Sequence, residues 1–211
     1  MIAVIAGATG LVGSQLVALL LEDTSYSEVK IFVRRKTGLL HPKLSEFVVD
    51  FDKPEDFSNQ LTGDVLFLCM GTTLARAGSK EKQYKVDFTY QYNLAQFAVN
   101  NGVNGCVLIS AAGANSSSSN FYLRMKGELD DAINNCNFEF CNILRPGQLY
   151  GNRTEKRISE KMALSVMFFF NKIGLFKKYK PIHAKEVAVA MVHLAAKKSS
   201  GVYTLNELFH V

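Results

Sequence analysis

Short apolar runs alternate with longer stretches of helical character along most of the chain. The short runs have the length and branched composition of buried strands, and they occupy residues 2–6, 29–33, 47–50, 65–69, 106–110 and 138–144. The helical stretches occupy residues 11–21, 54–61, 82–100 and 121–135, and a helical tail with a last short strand near residues 202–205 follows. This alternation predicts an α/β fold, a doubly wound parallel sheet with helices on both faces.

The first predicted strand ends in glycines spaced three apart, Gly7, Gly10 and Gly13. Such a turn needs one residue free to take positive φ, one that lets backbone approach a pyrophosphate, and one that allows close packing of helix on strand. The pyrophosphate would lie at the N-terminus of the following helix, where N–H groups and the helix dipole favour anions. The pattern predicts a dinucleotide site, completed by the intervening residues Ala8, Thr9, Leu11 and Val12.

The ends of the second and third predicted strands carry polar residues that could contact the adenosine part of the dinucleotide. Arg34 and Arg35 stand where a site for NAD ordinarily has an acidic residue. Because two guanidiniums suit a 2′-phosphate, we expect NADP(H); the alternative is that both are surface residues. Asp50 and Phe51 are placed to accept from the adenine amino group and to flank the ring. The alternative for Asp50 is a capping or turn role before the next helix.

Tyr122 and Lys126 lie four residues apart at the start of a predicted helix, so they share one face. A free phenol has a pKa near 10, too high for efficient proton transfer at neutral pH, and a nearby cation should lower it. Tyr122 would then donate a proton to a carbonyl oxygen as hydride arrives, while Lys126 holds the nicotinamide ribose. Ser110, at the end of the fifth strand, is placed to hydrogen-bond the same oxygen.

The same spacing of tyrosine and lysine occurs at Tyr26 and Lys30, where it leads into the second strand, and we interpret that match as coincidence. What distinguishes Tyr122 is its context of strand, Ser110, polar loop and helix. The serine run at residues 116–119 predicts that the loop is flexible. The alternative for Tyr122 and Lys126 is an exposed pair on an amphipathic helix.

Together these motifs resemble the short-chain dehydrogenase/reductase superfamily, in particular the small atypical branch that includes the Tat-interacting oxidoreductase-like proteins. The resemblance rests on residues 7–13, Ser110, and residues 69–73, 117–122, 122–126 and 145–151. It implies an NAD(P)-binding Rossmann-type fold and the catalytic group Ser110, Tyr122 and Lys126, which would also contact the cofactor. It also implies that Arg34 contacts the 2′-phosphate. Two segments would lie along the cofactor: Gly71, Thr72 and Thr73 after the fourth strand, and Pro146, Gly147 and Leu149 beside the nicotinamide.

The chain departs from this family at two points. Many extended members use an asparagine of the fourth helix in a proton relay, and neither Asp87 nor Asn93 is a clear match here. The region after about residue 151 is also short for the substrate domain of a nucleotide-sugar epimerase, which makes that activity the less favoured one. Since the branch includes regulatory proteins that bind NADP(H), a non-catalytic redox sensor is the main alternative to an enzyme.

Composition and charge limit the domain organisation and the classes of ligand that we expect. The 211 residues, 48% of them hydrophobic, fit a single domain over 1–211 with a reduced substrate-side region from about residue 151. The net charge of +5 comes without any nucleic-acid-binding motif, so we expect a small-molecule substrate and no nucleic acid. The four cysteines form no CxxC pair and the histidines lack metal-ligand spacing, which predicts reduced thiols and no metal site.

The location and assembly of the protein are further expectations. The first strand begins at the N-terminus and no apolar run is long enough to span a membrane, so we expect a cytoplasmic protein without membrane insertion, either a monomer or a homodimer. The apolar run at residues 162–170 could pack over the sheet, line a substrate pocket, or bind a partner or a membrane surface. The chemistry expected overall is NADP(H)-dependent hydride transfer to or from a small carbonyl or alcohol.

Overall fold

The structure is a computed structural model that describes residues 1–151, 181–204 and 207–208. The strands are β1 (Ile2–Ala6), β2 (Glu28–Val33), β3 (Leu44–Val48), β4 (Val65–Leu68), β5 (Gly105–Ile109), β6 (Phe140–Arg145), β7 (Leu149–Tyr150), β8 (Ile182–His183) and β9 (Gly201–Thr204). The helices are α1 (Leu11–Glu22), α2 (Leu74–Ala77), α3 (Lys80–Tyr84), α4 (Tyr90–Asn100), α5 (Phe121–Asn134) and α6 (Ala184–Lys197). A turn of π-helix, Lys85–Thr89, joins α3 to α4.

Seven strands form one parallel sheet in the order β3-β2-β1-β4-β5-β6-β9. Helices α1 and α6 cover one face of this sheet, and α4 and α5 cover the other. Strands β1, β4 and β5 are buried along their whole length apart from Ile2, because alternate side chains enter the two opposite cores. The predicted doubly wound parallel fold is therefore confirmed.

The strand order reverses between β1 and β4, which pair with each other at the centre of the sheet. Parallel α/β sheets bind ligands in the crevice beyond the carboxyl ends of the strands at such a reversal. The loops that follow β1 and β4 therefore border the candidate site, as the sequence predicted. The short β7–β8 pair lies after β6, and it leads into α6.

Two of the predicted helices differ from the structure. The helix expected at 54–61 is a pair of 3-10 turns, Pro54–Asp56 and Ser58–Gln60. They are separated by Phe57, which leaves helical backbone geometry and buries its ring against those of Phe32 and Phe51. Packing of this ring in the core outweighs continuation of the helix.

The single helix expected at 82–100 is instead α3, the π-turn and α4, preceded by the unpredicted α2. Local residues set these breaks. Gly78 ends α2 with a φ of +83°, and the Ser79 side chain accepts a hydrogen bond from the backbone of Lys82 to begin α3. The apolar run at 162–170 and most of the expected substrate-side region lie outside the described residues.

Candidate active site

The glycine turn between β1 and α1 has the geometry that its sequence predicts. Gly7 has a φ of +89°, and a Cβ there would lie 2.5 Å from the carbonyl carbon and oxygen of Cys69. A Cβ on Gly13 would lie 2.1 Å from the carbonyl oxygen of Gly7, so only glycine lets α1 approach the turn this closely. Gly10 is the N-cap of α1 and has no side chain to bond its first N–H groups. The turn thus presents an anion-binding helix terminus at the sheet crevice.

The residues expected at the adenosine end lie close together beyond β2 and β3. Arg34 and Arg35 follow β2 directly and are exposed. Asp50 accepts from the backbone of Asp52 over 3.0 Å, so its carboxylate holds the turn. The Phe51 ring is buried against Phe57 and Tyr90, with ring centroids 6.0 and 5.6 Å away. Asp50 and Phe51 therefore each have a structural role, and their contact with adenine stays a prediction.

An ion pair that the sequence did not predict also lies at the adenosine end of the candidate site. Lys85 forms an ion pair of 2.7 Å with Asp52, which also accepts a hydrogen bond from the hydroxyl of Tyr90. Partial burial and the carboxylates of Asp52 and Asp50 raise the pKa of Tyr90 to about 12, while the nearby Arg34 opposes that rise. These contacts join the turn after β3 to the π-turn and to the start of α4.

Ser110, Tyr122 and Lys126 are brought together by β5 and α5. Asn120 caps α5 by accepting from the backbone of Leu123 over 3.1 Å, which places Tyr122 and Lys126 in its first two turns. The Lys126 ammonium is buried and donates to the carbonyl of Ile109, 3.0 Å away, beside Ser110. Tyr122 lies one helical turn before Lys126 and is 40% exposed. The exposed-pair alternative fails for Lys126, which is 2% exposed.

The expected effect of Lys126 on the phenol is wrong. The surrounding protein and the carboxylates of Asp87 and Asp130 raise the pKa of Tyr122 to about 12. Burial lowers the pKa of Lys126, and the same two carboxylates oppose that change. The phenol of Tyr122 is therefore held in its protonated form at neutral pH, because desolvation disfavours the phenolate and the two carboxylates add to that effect.

Asp87, to which the sequence assigns no role, has a definite place in the structure. It is buried in the π-turn, where its Oδ2 accepts from the backbone N–H of Thr72 over 2.8 Å. A Cβ on Gly71 would lie 3.5 Å from its Oδ1. Burial raises the pKa of Asp87 to about 6, although Lys126 and the Thr72 N–H oppose the rise. Asp87 thus links the loop after β4 to Lys126, and π-turns often occur at functional sites.

Asp130 and Arg145 are further members of this group that the sequence analysis missed. The Arg145 Nε lies 2.8 Å from Oδ2 of Asp130, whose side chain is buried. Burial raises the pKa of Asp130, while Ser110, Lys126 and Arg145 favour its charged form. The available signal was spacing, because Asp130 follows Lys126 by the same four residues that separate Lys126 from Tyr122.

The segment after β6 also lies at the carboxyl edge of the sheet. Pro146 accepts from the backbone of Ala112 over 2.9 Å, which fixes it beside the end of β5. Gly147 follows, and Leu149 pairs with Ile182 between β7 and β8. The loop after β4 contains Gly71, Thr72 and Thr73, and the Thr73 side chain accepts from Arg76 to begin α2. All the segments predicted from the sequence therefore lie at the carboxyl edge of the sheet.

Two residues beyond the predicted site border this edge. The rings of Tyr150 and His183 meet edge to face with centroids 5.1 Å apart. His183 is the N-cap of α6, and its Nδ1 accepts from the backbone of Lys185 over 3.2 Å. A Cβ on Gly151 would lie 3.2 Å from Leu11 of α1. The start of α6 therefore packs close to the glycine turn.

Metal sites, membrane spans and thiols bear on the chemistry that this protein could perform. Within the described ranges, no cluster of three or more His, Cys, Asp or Glu side chains could hold a metal ion. No helix there combines the length and the apolar character that a bilayer crossing requires. The four cysteines are free thiols, and Cys106 and Cys141 are buried on adjacent strands. Burial raises the pKa of the Cys106 thiol.

Comparison with solved structures shows the same fold in larger enzymes. The Bordetella bronchiseptica enzyme WbmH, solved with NAD+, superposes with a TM-score of 0.74 at 18% identity, over 96% of this chain and 74% of WbmH. ADP-L-glycero-D-manno-heptose-6-epimerase of Helicobacter pylori superposes with a TM-score of 0.72 at 22% identity, over 97% of this chain and 76% of the epimerase. At these identities the likeness establishes the fold.

Comparison with curated sequences finds fungal relatives of similar length. The mitochondrial protein FMP52 of Candida albicans is 33% identical over 203 residues, which cover 93% of this chain and 89% of that protein. The expectation of a cytoplasmic location is wrong on this comparison, because the fungal relatives are named as mitochondrial proteins. A family model described as NAD(P)H-binding matches residues 7–197. The chain therefore belongs to this family of NAD(P)H-binding Rossmann-type proteins.

Proposed function

We propose that this protein is an NADP(H)-dependent oxidoreductase of the atypical short-chain dehydrogenase/reductase type that transfers hydride to or from a small carbonyl or alcohol. The observation that carries the proposal is the tether between the buried ammonium of Lys126 and the carbonyl of Ile109, 3.0 Å apart. This tether holds Lys126 beside Ser110 at the carboxyl edge of the sheet. Tyr122 lies one helical turn away, with its phenol open to a bound substrate.

The cofactor fits the residues at the crevice. The turn formed by Gly7, Gly10 and Gly13 would hold the pyrophosphate at the uncapped N-terminus of α1, and a Cβ at Gly7 or Gly13 would clash with the backbone that shapes this turn. When bound, the nicotinamide would supply or accept the hydride. The exposed guanidiniums of Arg34 and Arg35 would hold a 2′-phosphate through charge-assisted hydrogen bonds.

Side chains of this protein would supply the proton for the reaction. Tyr122 stays protonated at neutral pH, so its hydroxyl carries a proton that a carbonyl oxygen could take as it becomes a strongly basic alkoxide. The Ser110 hydroxyl would hydrogen-bond the same oxygen and fix its position. Lys126 would hold the nicotinamide ribose.

Cofactor choice is tested by isothermal titration with NADPH and NADH. We expect NADPH to bind more tightly, and Arg34→Ser to remove most of the difference; one such charged contact contributes about 1.5–3 kcal/mol, or roughly 10- to 150-fold in Kd. Lys36→Ser removes a neighbouring exposed charge and serves as the control. Equal or tighter binding of NADH would contradict the role of Arg34.

Turnover is tested by following NADPH absorbance with a panel of small carbonyl compounds. We expect Tyr122→Phe to lower kcat by about 100-fold or more, because it removes the proton donor. Tyr26→Phe is the matched control, since Tyr26 belongs to the second YxxxK match and its buried hydroxyl has no hydrogen-bond partner among the described residues.

The other outcomes separate the competing functions. NADPH binding without turnover of any compound would favour a redox sensor over an enzyme. Turnover confined to nucleotide sugars would favour an epimerase. We also propose a mitochondrial location, on the names of the fungal relatives; cell fractionation with an antibody to this protein tests it.

A further inference from the structure

The ion pair between Asp130 and Arg145 lies next to the proposed catalytic group but has no part in the function proposed above. Asp130 is on α5 and 2% exposed, and its Oδ2 bonds Arg145 Nε at the end of β6. Arg145 is directly followed by Pro146, whose carbonyl accepts a hydrogen bond from Ala112 after β5. The pair therefore connects the helix that holds Tyr122 and Lys126 with the segment after β6.

The Oδ1 atom of Asp130 takes no part in the ion pair with Arg145. Oδ1 of Asp130 is buried and has no hydrogen-bond partner among the described residues, and the same is true of Oγ of Ser110. The two groups are close enough for the Ser110 hydroxyl to favour the charged form of Asp130, although they do not form a hydrogen bond of ordinary geometry. Buried polar atoms without partners are costly, and they occur where function retains them.

The carboxylate of Asp130 interacts with three neighbouring side chains. Its carboxylate faces Arg145 from β6 and Lys126 from its own helix, and it acts on the Tyr122 phenol. The carboxylate of Asp87, in the π-turn, also acts on the charge of Lys126. Two carboxylates thus act on the buried Lys126 ammonium, and removal of either would weaken the compensation of its charge.

We propose that Asp130 is a positioning residue of the site, whose carboxylate, anchored by Arg145, fixes the Ser110 hydroxyl and the Lys126 ammonium relative to Tyr122. This inference rests on the proposed function, because it assigns Asp130 to the same reaction. A purely structural role would predict that the pair only joins α5 to β6. The two roles differ in what happens to Lys126 when the carboxylate is neutralised.

The first measurement needs neither substrate nor cofactor. The pKa of Lys126 is followed by NMR of lysine-labelled protein, with the resonance assigned from Lys126→Arg. We expect Asp130→Asn to lower this pKa by about one unit, because a neighbouring anion no longer stabilises the ammonium. Asp130→Glu should restore it. Glu128→Gln is the matched control, since Glu128 lies on α5 but forms its ion pair with Arg124 near the surface.

The second measurement is turnover. We expect Asp130→Asn to lower kcat about 10- to 100-fold while KM and the Kd of NADPH change less than about twofold, as misplacement of reacting groups would do. Asp130→Glu should recover most of kcat, and Glu128→Gln should leave it unchanged. Thermal unfolding of each variant shows whether it is folded under the assay conditions.

The outcomes decide between the two roles. An unchanged Lys126 pKa in Asp130→Asn, or a loss of kcat no larger than that of Glu128→Gln, would overturn the positioning role. If the parent protein reduces no carbonyl compound, the proposed function fails by itself. The Lys126 titration still decides whether Asp130 acts on the ammonium in that event.

Discussion

At the scale of single residues, Asp87 is an acid whose pKa departs clearly from its ordinary value. It is 2% exposed, its pKa is raised to about 6 by burial, and its partners are the Thr72 N–H and the charge of Lys126. The sequence could show an acid near the start of α4 but not its burial. Burial depends on the π-turn and on a loop fifteen residues earlier in the chain, and neither leaves a local pattern.

Asp87 should make stability depend on pH. Its pKa is about 6 in the folded chain against 3.8 as the ordinary value, so between these values the folded chain binds more protons than the unfolded chain. The free energy of unfolding should therefore fall as pH rises from about 4 to about 6, by at most about 3 kcal/mol from this group. Asp87→Asn should remove that part of the slope, measured by urea denaturation at several pH values.

The control for this measurement is Asp131→Asn, because Asp131 is exposed on α5. It should leave the slope unchanged. Asp130 is also buried and contributes in the same direction, so some slope remains in both variants. An identical pH dependence in the parent and in Asp87→Asn would contradict the raised pKa.

At the scale of elements, α5 is positioned by a loop that its sequence suggested would be flexible. The loop is held by hydrogen bonds: Asn115 donates its backbone N–H to the Leu123 carbonyl over 3.0 Å, and the Arg124 guanidinium donates to the Ser118 carbonyl over 2.9 Å. A Cβ on Gly127 would lie 2.2 Å from backbone atoms of Asn115 and Ser116. The loop therefore passes directly against the helix that holds Tyr122 and Lys126.

Replacement of Gly127 should disturb this contact. Gly127→Ala forces loop and helix apart, because the atoms that the new methyl group meets are backbone. We expect a loss of about 1–3 kcal/mol in the free energy of unfolding, despite the better helix propensity of alanine. Chemical denaturation measures it, with Asp131→Ala as the exposed control on the same helix. A Gly127→Ala protein as stable as the parent would show that the loop yields without cost.

The elements also show where sequence reasoning works and where it stops. The strands of the sheet could be placed to within about three residues, because each is a short apolar run bounded by polar turns. The glycine turn was predictable for the same reason: its requirements are local. Phe57 and Asp130 were not, since the first breaks a helix by packing in the core and the second gains its role from a partner on β6.

At the scale of the whole molecule, the candidate site is made from segments that are distant in sequence and meet at one edge of the sheet. Gly7, Gly71, Ser110 and Pro146 each follow a different strand. No single segment could bind a dinucleotide alone. A ligand that spans these loops would bind the folded chain and not the unfolded one.

NADPH should therefore stabilise the protein against unfolding. At a free concentration of about 100 times its Kd, linkage predicts about 2.7 kcal/mol of added stability, which a thermal melt detects as a rise in Tm. NADH at the same concentration should raise Tm less, and Arg34→Ser should reduce the difference. A Tm that neither nucleotide moves would contradict the dinucleotide site in the crevice.

The packing of α6 against α1 also bears on how the chain folds during synthesis. Helix α1 begins at Leu11 and α6 at Ala184, yet they share one hydrophobic core. In a nascent chain, the part of the core that α1 shares with α6 therefore stays incomplete until Ala184–Lys197 has left the ribosome. Such late contacts slow folding and leave the intermediate prone to aggregation, so expression with chaperones should improve the yield of native protein.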